Sequence, residues 1–112
     1  KKALKKSYEI LEVDHPIIAR MQGEVGNRYL KSGDFKNAII SYEKTYEIIE
    51  KFESKSVSHF ITYLNMGIAY HGLERLDECK KILNKLLIEI GNKSDPLSLK
   101  LRQTAKKYLS HI

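Results

Sequence analysis

The chain has 112 residues, of which 42% are hydrophobic and 30% are charged, so its size and composition are those of one globular domain. No apolar run approaches the ~18 residues of a membrane span, and no signal core follows the opening KKALKK, which argues against a membrane protein. One cysteine, Cys79, excludes an internal disulfide and predicts a reducing, cytoplasmic setting.

Helical periodicity predicts six helices in chain order, at about 2–13, 16–32, 35–53, 58–73, 76–91 and 96–109. Their boundaries coincide with capping residues: Gly33 suits a left-handed helix end, and Asp34 can cap the helix that follows. Ser56 or Ser58 can cap the fourth helix, and Asp95-Pro96 opens the sixth. No segment alternates with period two over a strand's length, so the sequence predicts an all-α fold.

Each predicted helix carries an apolar stripe that we expect to be buried. The residues expected in these stripes include Ile18, Met21, Val25 and Tyr29 in the second helix, Phe35, Ala38, Ile39 and Tyr42 in the third, Phe60, Tyr63, Met66 and Tyr70 in the fourth, and Leu76, Cys79, Ile82, Leu83 and Leu86 in the fifth. Helical spacing alone assigns these faces.

Two segments, 25–42 and 66–83, are similar at an offset of 41 residues, which places Gly26 on Gly67. A period in this range is typical of stacked helical hairpins. A glycine inside a helix costs ~1 kcal/mol relative to alanine, so two at matching places predict close approach of a partner helix. We expect Ala38 and the cysteine at the matching place to be the small residues of those partner helices.

The chain ends continue the repeat, so the whole of 1–112 is predicted to be one domain. Its predicted parts are the second half of a preceding unit at 1–15, one unit at 16–56, another at 57–95, and the first half of a following unit or a capping helix at 96–112. The chain does not begin with Met, and we therefore expect it to be an excerpt of a longer protein.

The first unit resembles the tetratricopeptide repeat, through the residues Val25-Gly26, Tyr29, Gly33, Phe35, Ala38 and Tyr42. The second unit departs from the pattern at Glu74, which replaces the turn glycine, and at Leu83, which replaces the aromatic residue. The long period is similar to the extended repeats of kinesin light chain and of bacterial peptide-sensing regulators. The resemblance covers essentially the whole chain. It implies a right-handed superhelix of antiparallel helix hairpins with a concave face for an extended peptide or a partner helix.

The resemblance implies that ligand-binding side chains lie on the inner faces of the second, fourth and sixth predicted helices. The residues predicted there are Arg20, Asn27, Lys31, Ile61, Leu64, Asn65, Ile68, His71, Arg102 and Lys106. Asn27 and Asn65 are assigned to the ligand backbone, because a side-chain amide donates and accepts at once. The four basic residues other than histidine are assigned to acidic groups of the ligand, and the three apolar residues to an apolar anchor.

Some tetratricopeptide proteins clamp a terminal carboxylate with two asparagines and three basic residues. Here the asparagine places are matched, but Gly23, Leu99 and Gln103 hold the three basic places, so the resemblance does not extend to that clamp. The apolar stripe of Ile61, Leu64 and Ile68 has two explanations. It forms part of a groove, or it is covered by the sixth predicted helix or by neighbouring repeats outside this chain.

The sequence predicts a protein that is not an enzyme and needs neither a cofactor nor a metal. The four histidines have no metal-ligand spacing, Cys79 occupies a small packing position, and the acidic pairs lie on exposed faces. The excess positive charge concentrates in the last twenty residues, where it is best explained as a solvated helix face, and direct nucleic-acid contact is not expected.

Three functional hypotheses follow from the sequence. The first is a cytoplasmic, non-catalytic module, a scaffold of the kind used in signalling, that binds a protein or an extended peptide segment. The second is the peptide-sensing part of a bacterial transcription regulator whose DNA-binding part lies outside this chain. The third is a purely architectural module whose inner face is filled by its own chain or by self-association with a second copy.

Overall fold

The computed structural model of the chain describes residues 16–52 and 55–112, and within them it is all-helical, with no strand. It has five helices: α1 (Pro16–Lys31), α2 (Phe35–Ile49), α3 (Val57–Gly72), α4 (Leu76–Ile90) and α5 (Pro96–Leu109). The all-α prediction is therefore confirmed, with five helices in the described residues. The helix predicted at about 2–13, and the half unit at 1–15, lie outside them. The helix predicted at about 35–53 corresponds to α2, which ends at Ile49, so its predicted end is wrong.

The two hairpin turns have the same backbone geometry. In the first, Gly33 has φ +80°, and the N–H of Asp34 donates to the carbonyl of Tyr29 over 2.9 Å. In the second, Glu74 has φ +61°, and the N–H of Arg75 donates to the carbonyl of Tyr70 over 2.9 Å. This bond closes a Schellman motif at each helix end. The predicted correspondence between Gly33 and Glu74 is thus confirmed in backbone conformation.

The five helices form two layers. Each helix packs against the next one in the chain, and α3 also contacts α1 and α5. The backbones of α2 and α4 do not approach one another within the described residues. Short turns of three residues at 32–34 and 73–75 make α1/α2 and α3/α4 antiparallel hairpins. One layer therefore consists of α1, α3 and α5, and the other of α2 and α4.

The two matching glycines sit at close helix–helix contacts, as predicted. A Cβ atom on Gly26 would lie 2.6 Å from Cε1 of Tyr42, and one on Gly67 would lie 2.5 Å from Cδ2 of Leu83. Ala38 and Cys79 are fully buried on the facing helices. Any side chain at either glycine would therefore displace its neighbour, which explains why these helix positions lack one.

The buried stripes are confirmed for most of the residues assigned to them, but three assignments are wrong. Met21, Tyr29 and Leu76 are 52%, 37% and 40% exposed, respectively. On α1 the small residues, including Ala19 and Gly26, face α2, so helical geometry places Met21 on the opposite side. Leu76 is the first residue of α4, where the hairpin turn leaves it partly uncovered.

Candidate functional site

A cleft of about 490 Å³ lies along the α1–α3 side of the molecule. It is lined by Pro16, Ile17, Ala19, Arg20, Gly23, Glu24 and Asn27 of α1, by Thr45 and Ile49 of α2, and by Ser58, His59, Ile61 and Thr62 of α3. Beneath it the hydroxyl of Thr45 donates to the carbonyl of Ala19 over 3.0 Å, which ties α1 to α2. The lining of the cleft therefore combines apolar, hydroxyl, amide and charged groups.

The two predicted backbone-binding asparagines contact each other beside this cleft. Nδ2 of Asn65 on α3 donates to Oδ1 of Asn27 on α1 over 3.0 Å. The same oxygen accepts a hydrogen bond from the hydroxyl of Tyr42 on α2. Burial raises the pKa of Tyr42 to about 12, against the lowering effect of the neighbouring Asn65 amide. Tyr42 is therefore protonated at neutral pH and acts as the donor.

Three of the ten predicted binding residues line the cleft: Arg20, Asn27 and Ile61. Asn65 reaches its edge through the bond to Asn27. Lys31 is exposed at the last position of α1 and does not line the cleft.

The apolar residues of α3 are largely used in packing. Leu64 is only 8% exposed and belongs to the main core, while Ile61 and Ile68 are half-buried and pack against it. The reason is the position of α3, which contacts all four other helices. Leu64 is therefore covered within the described residues, whereas Ile61 also lines the cleft.

The predicted residues near α5 are separate from the cleft. The ring of His71 packs edge-on against Tyr108, with ring centroids 5.4 Å apart. Nη1 of Arg102 donates to the carbonyls of Gly91 and Lys93, over 3.2 Å and 2.5 Å, and so fastens α5 to the end of α4. Lys106 is exposed. Arg102 thus has a structural role that its charge alone did not reveal.

His59 lines the cleft and was not among the predicted binding residues. Its Nδ1 accepts a hydrogen bond from the backbone N–H of Ser56 over 3.0 Å, which caps the start of α3. Burial, with a smaller contribution from the charge of Lys55, lowers the pKa of His59. Ser56 and His59 have the spacing of a capping box, so the sequence could have placed His59 at the start of α3. Glu24, Ser58 and Thr62 carry no comparable signal.

An ion-pair network joins the two hairpins on the side of the molecule formed by α2 and α4. Lys85 contacts Glu50 over 2.9 Å and Glu89 over 3.0 Å, and Lys55 contacts Glu89 over 3.2 Å. The hydroxyl of Tyr63 donates to Glu50. A groove of about 630 Å³ lies next to this network, between α2 and α4. Every charge in the network is paired, so its evident role is structural.

The remaining groups with possible chemistry are the metal-ligating side chains and the cysteine. Among residues 16–52 and 55–112, no group of three His, Cys, Asp or Glu side chains could hold a metal ion. Cys79 is fully buried, and burial raises the pKa of its thiol. A buried thiol with a raised pKa is a poor nucleophile.

None of the described helices is both long and apolar enough to cross a bilayer. Comparison with known proteins gives no match to a family model, to a curated protein or to a solved structure.

Proposed function

We propose that the chain is a tetratricopeptide-like module, a right-handed superhelix of helical hairpins, that binds a peptide or protein segment without catalysing a reaction. The proposal is supported by the repeated glycine contacts and by the two-layered order of the helices. Such an arrangement stacks hairpins through nearest-neighbour contacts and leaves one layer free to bind a partner. The free, buried thiol of Cys79 is compatible with a reducing compartment, and we propose a cytoplasmic location.

One observation supports this function best. Asn27 and Asn65 come from equivalent helices of two units, and they meet over 3.0 Å beside a cleft. Side-chain amides at the edge of a cleft can hydrogen-bond a peptide backbone of any sequence. Recognition of a backbone at that point would leave the apolar part of the cleft, which includes Ile61, for a ligand side chain.

The charges around the cleft indicate which ligand side chains are compatible with it. Arg20 and Glu24 both line the cleft, and Lys31 is exposed at the end of the same helix. Arg20 and Lys31 would attract acidic groups, and Glu24 would attract a basic group or an N–H donor. Arg102 already donates to two backbone carbonyls, so we assign it a supporting role. Lys106, which is exposed on the same helix, is the residue that we assign to contact with a long ligand.

Peptide display tests this function. Short random peptides would be selected on the immobilised chain, and the affinity of a selected peptide would be measured by isothermal titration calorimetry. We expect Asn65→Ala and Arg20→Ala each to weaken binding by about tenfold, the equivalent of one lost hydrogen bond or charge contact.

Asn84→Ala is the matched control, because Asn84 is exposed on α4, in the other layer. It should bind the selected peptide as the unmodified chain does. Equal binding by all three variants would contradict the assignment of the cleft. A chain that selects no peptide, and that light scattering shows to be a dimer, would instead favour self-association.

A further inference from the structure

Three polar side chains from three helices meet at the edge of the cleft. Oδ1 of Asn27 accepts hydrogen bonds from the hydroxyl of Tyr42 and from Nδ2 of Asn65. Tyr42 is fully buried, whereas Asn27 is exposed and Asn65 is half-buried. The buried hydroxyl therefore lies behind the two amides, away from the side on which a ligand would bind.

An asparagine amide has two orientations, which exchange its oxygen and its nitrogen. In the orientation found in the structure, the Tyr42 hydroxyl donates its hydrogen to Oδ1 of Asn27. If Asn27 alone were reversed, its NH₂ group would face two donors, the Tyr42 hydroxyl and Nδ2 of Asn65, and the hydroxyl would lose the acceptor it now has. Leaving a buried donor unsatisfied is unfavourable, so the hydroxyl selects one orientation. Because Asn65 donates to the oxygen so placed, its orientation follows from that of Asn27.

We infer that Tyr42 is a positioning residue, which fixes the two amides so that Asn27 presents hydrogen-bond donors to the ligand and Asn65 presents an acceptor. With its oxygen occupied by two donors, Asn27 has only N–H groups left to offer a ligand, and Asn65, which donates to that oxygen, has its Oδ1 left as an acceptor. An extended peptide residue directs its own N–H and C=O to the same side. One such residue can therefore donate to Asn65 and accept from Asn27.

The orientation can be tested without a ligand, and this separates the inference from the proposed function on which its ligand class rests. Hydrogen exchange of the side-chain amides would be followed by NMR on the full chain. We expect one Asn65 amide hydrogen to exchange slowly, because it is bonded to Asn27, and both Asn27 hydrogens to exchange rapidly. Slow exchange at Asn27 with rapid exchange at Asn65 would overturn the inference, whether or not a peptide binds.

The second test uses the display-selected peptide with one backbone amide replaced by an ester, scanned along its length. An ester lacks the N–H from which Oδ1 of Asn65 would accept a hydrogen bond. The peptide with the ester at that one position should therefore bind the unmodified chain about tenfold more weakly. In Tyr42→Phe both amides are free to reverse, and we expect the peptide and this ester to bind within about twofold of each other. An unchanged tenfold preference in a folded Tyr42→Phe chain would overturn the inference.

Two variants guard against a merely structural effect. Tyr70→Phe removes an equivalent hydroxyl, which donates to Glu43 away from the cleft, and should keep the preference for the amide peptide. Asn27→Asp keeps the oxygen that accepts from Tyr42 and Asn65 but removes both donors. It should fold, as judged by circular dichroism, and bind the peptide at least about tenfold more weakly. If Asn27→Asp folds and binds as tightly as the unmodified chain, Asn27 is not the donor.

Discussion

At the scale of single residues, Glu74 adopts a backbone conformation that favours glycine. Its φ is +61°, and Gly33 has the same role in the first turn with φ +80°. The steric cost of this region for a residue with a Cβ is roughly 1–2 kcal/mol, whereas glycine loses about 0.5–1 kcal/mol more in conformational entropy on folding. We therefore expect Glu74→Gly to increase the free energy of unfolding by about 0.5–1 kcal/mol. Thermal and urea unfolding would measure it.

Glu74→Ala is the control for this substitution, since it removes the carboxylate but keeps the Cβ atom. It should leave the free energy of unfolding nearly unchanged. If alanine stabilises the chain as much as glycine does, the effect comes from the side chain and not from the backbone. The comparison therefore isolates the strain at this turn.

At the scale of helices, the packing of α1 on α2 depends on two glycines in different environments. A Cβ on Gly26 would lie 2.6 Å from the Tyr42 ring, whereas one on Gly23 would lie 3.7 Å from its nearest neighbour, Thr45. The ring has little room to move, because it is buried and its hydroxyl is bonded to Asn27. We expect Gly26→Ala to destabilise the chain by about 1–3 kcal/mol through overpacking.

Gly23→Ala is the matched control on the same helix. Its Cβ would make ordinary van der Waals contacts, so the higher helix propensity of alanine should stabilise the chain by up to ~1 kcal/mol. Urea unfolding of both variants gives the comparison. If the two substitutions changed the free energy of unfolding similarly, the close contact of Gly26 with the Tyr42 ring would not be what excludes a side chain at residue 26.

The helices and their closest contacts could be predicted from the sequence because they are encoded locally. Gly33 and Asp34 mark a helix end and a helix start, and the repeated glycines mark contacts that recur with the period of the chain. What helical periodicity could not give is the number of neighbours around each helix. The sequence analysis assigned Leu64 to the ligand, but Leu64 is buried, because α3 contacts the other four helices.

At the scale of the whole molecule, the candidate site combines residues that are far apart in the chain. The inner-face positions of Asn27 and Asn65 followed from the repeat, but the hydroxyl of Tyr42 behind them did not, since a buried tyrosine also suits simple packing. Arg102 likewise makes a contact that the sequence did not indicate. Its charge suggested a ligand, whereas the carbonyls at the end of α4 that it binds become apparent only in three dimensions.

The same scale includes the ion-pair network that joins the hairpins, and Glu50 is its central carboxylate. Burial raises the pKa of Glu50, but the hydrogen bonds from Tyr63 and Lys85, together with the charges of Lys85 and Lys55, lower it by more. The folded-state pKa therefore lies below the ordinary 4.5. A carboxyl with a lowered folded-state pKa contributes stability above its unfolded-state value and loses it as the pH falls through the folded-state value. The network should therefore stabilise the molecule at pH 7 and weaken in acid.

Glu50→Gln tests this, because the amide keeps an acceptor for Tyr63 but cannot pair with Lys85. Since the pair is partly exposed, we expect a loss of about 1 kcal/mol in the free energy of unfolding at pH 7, with the difference from the unmodified chain shrinking below pH ~4.5. Glu47→Gln, at an exposed position on α2, should show a small difference at every pH. Urea unfolding between neutral and acidic pH measures both. A constant gap for Glu50→Gln across this range would mean that the ionised carboxylate does not hold the hairpins together.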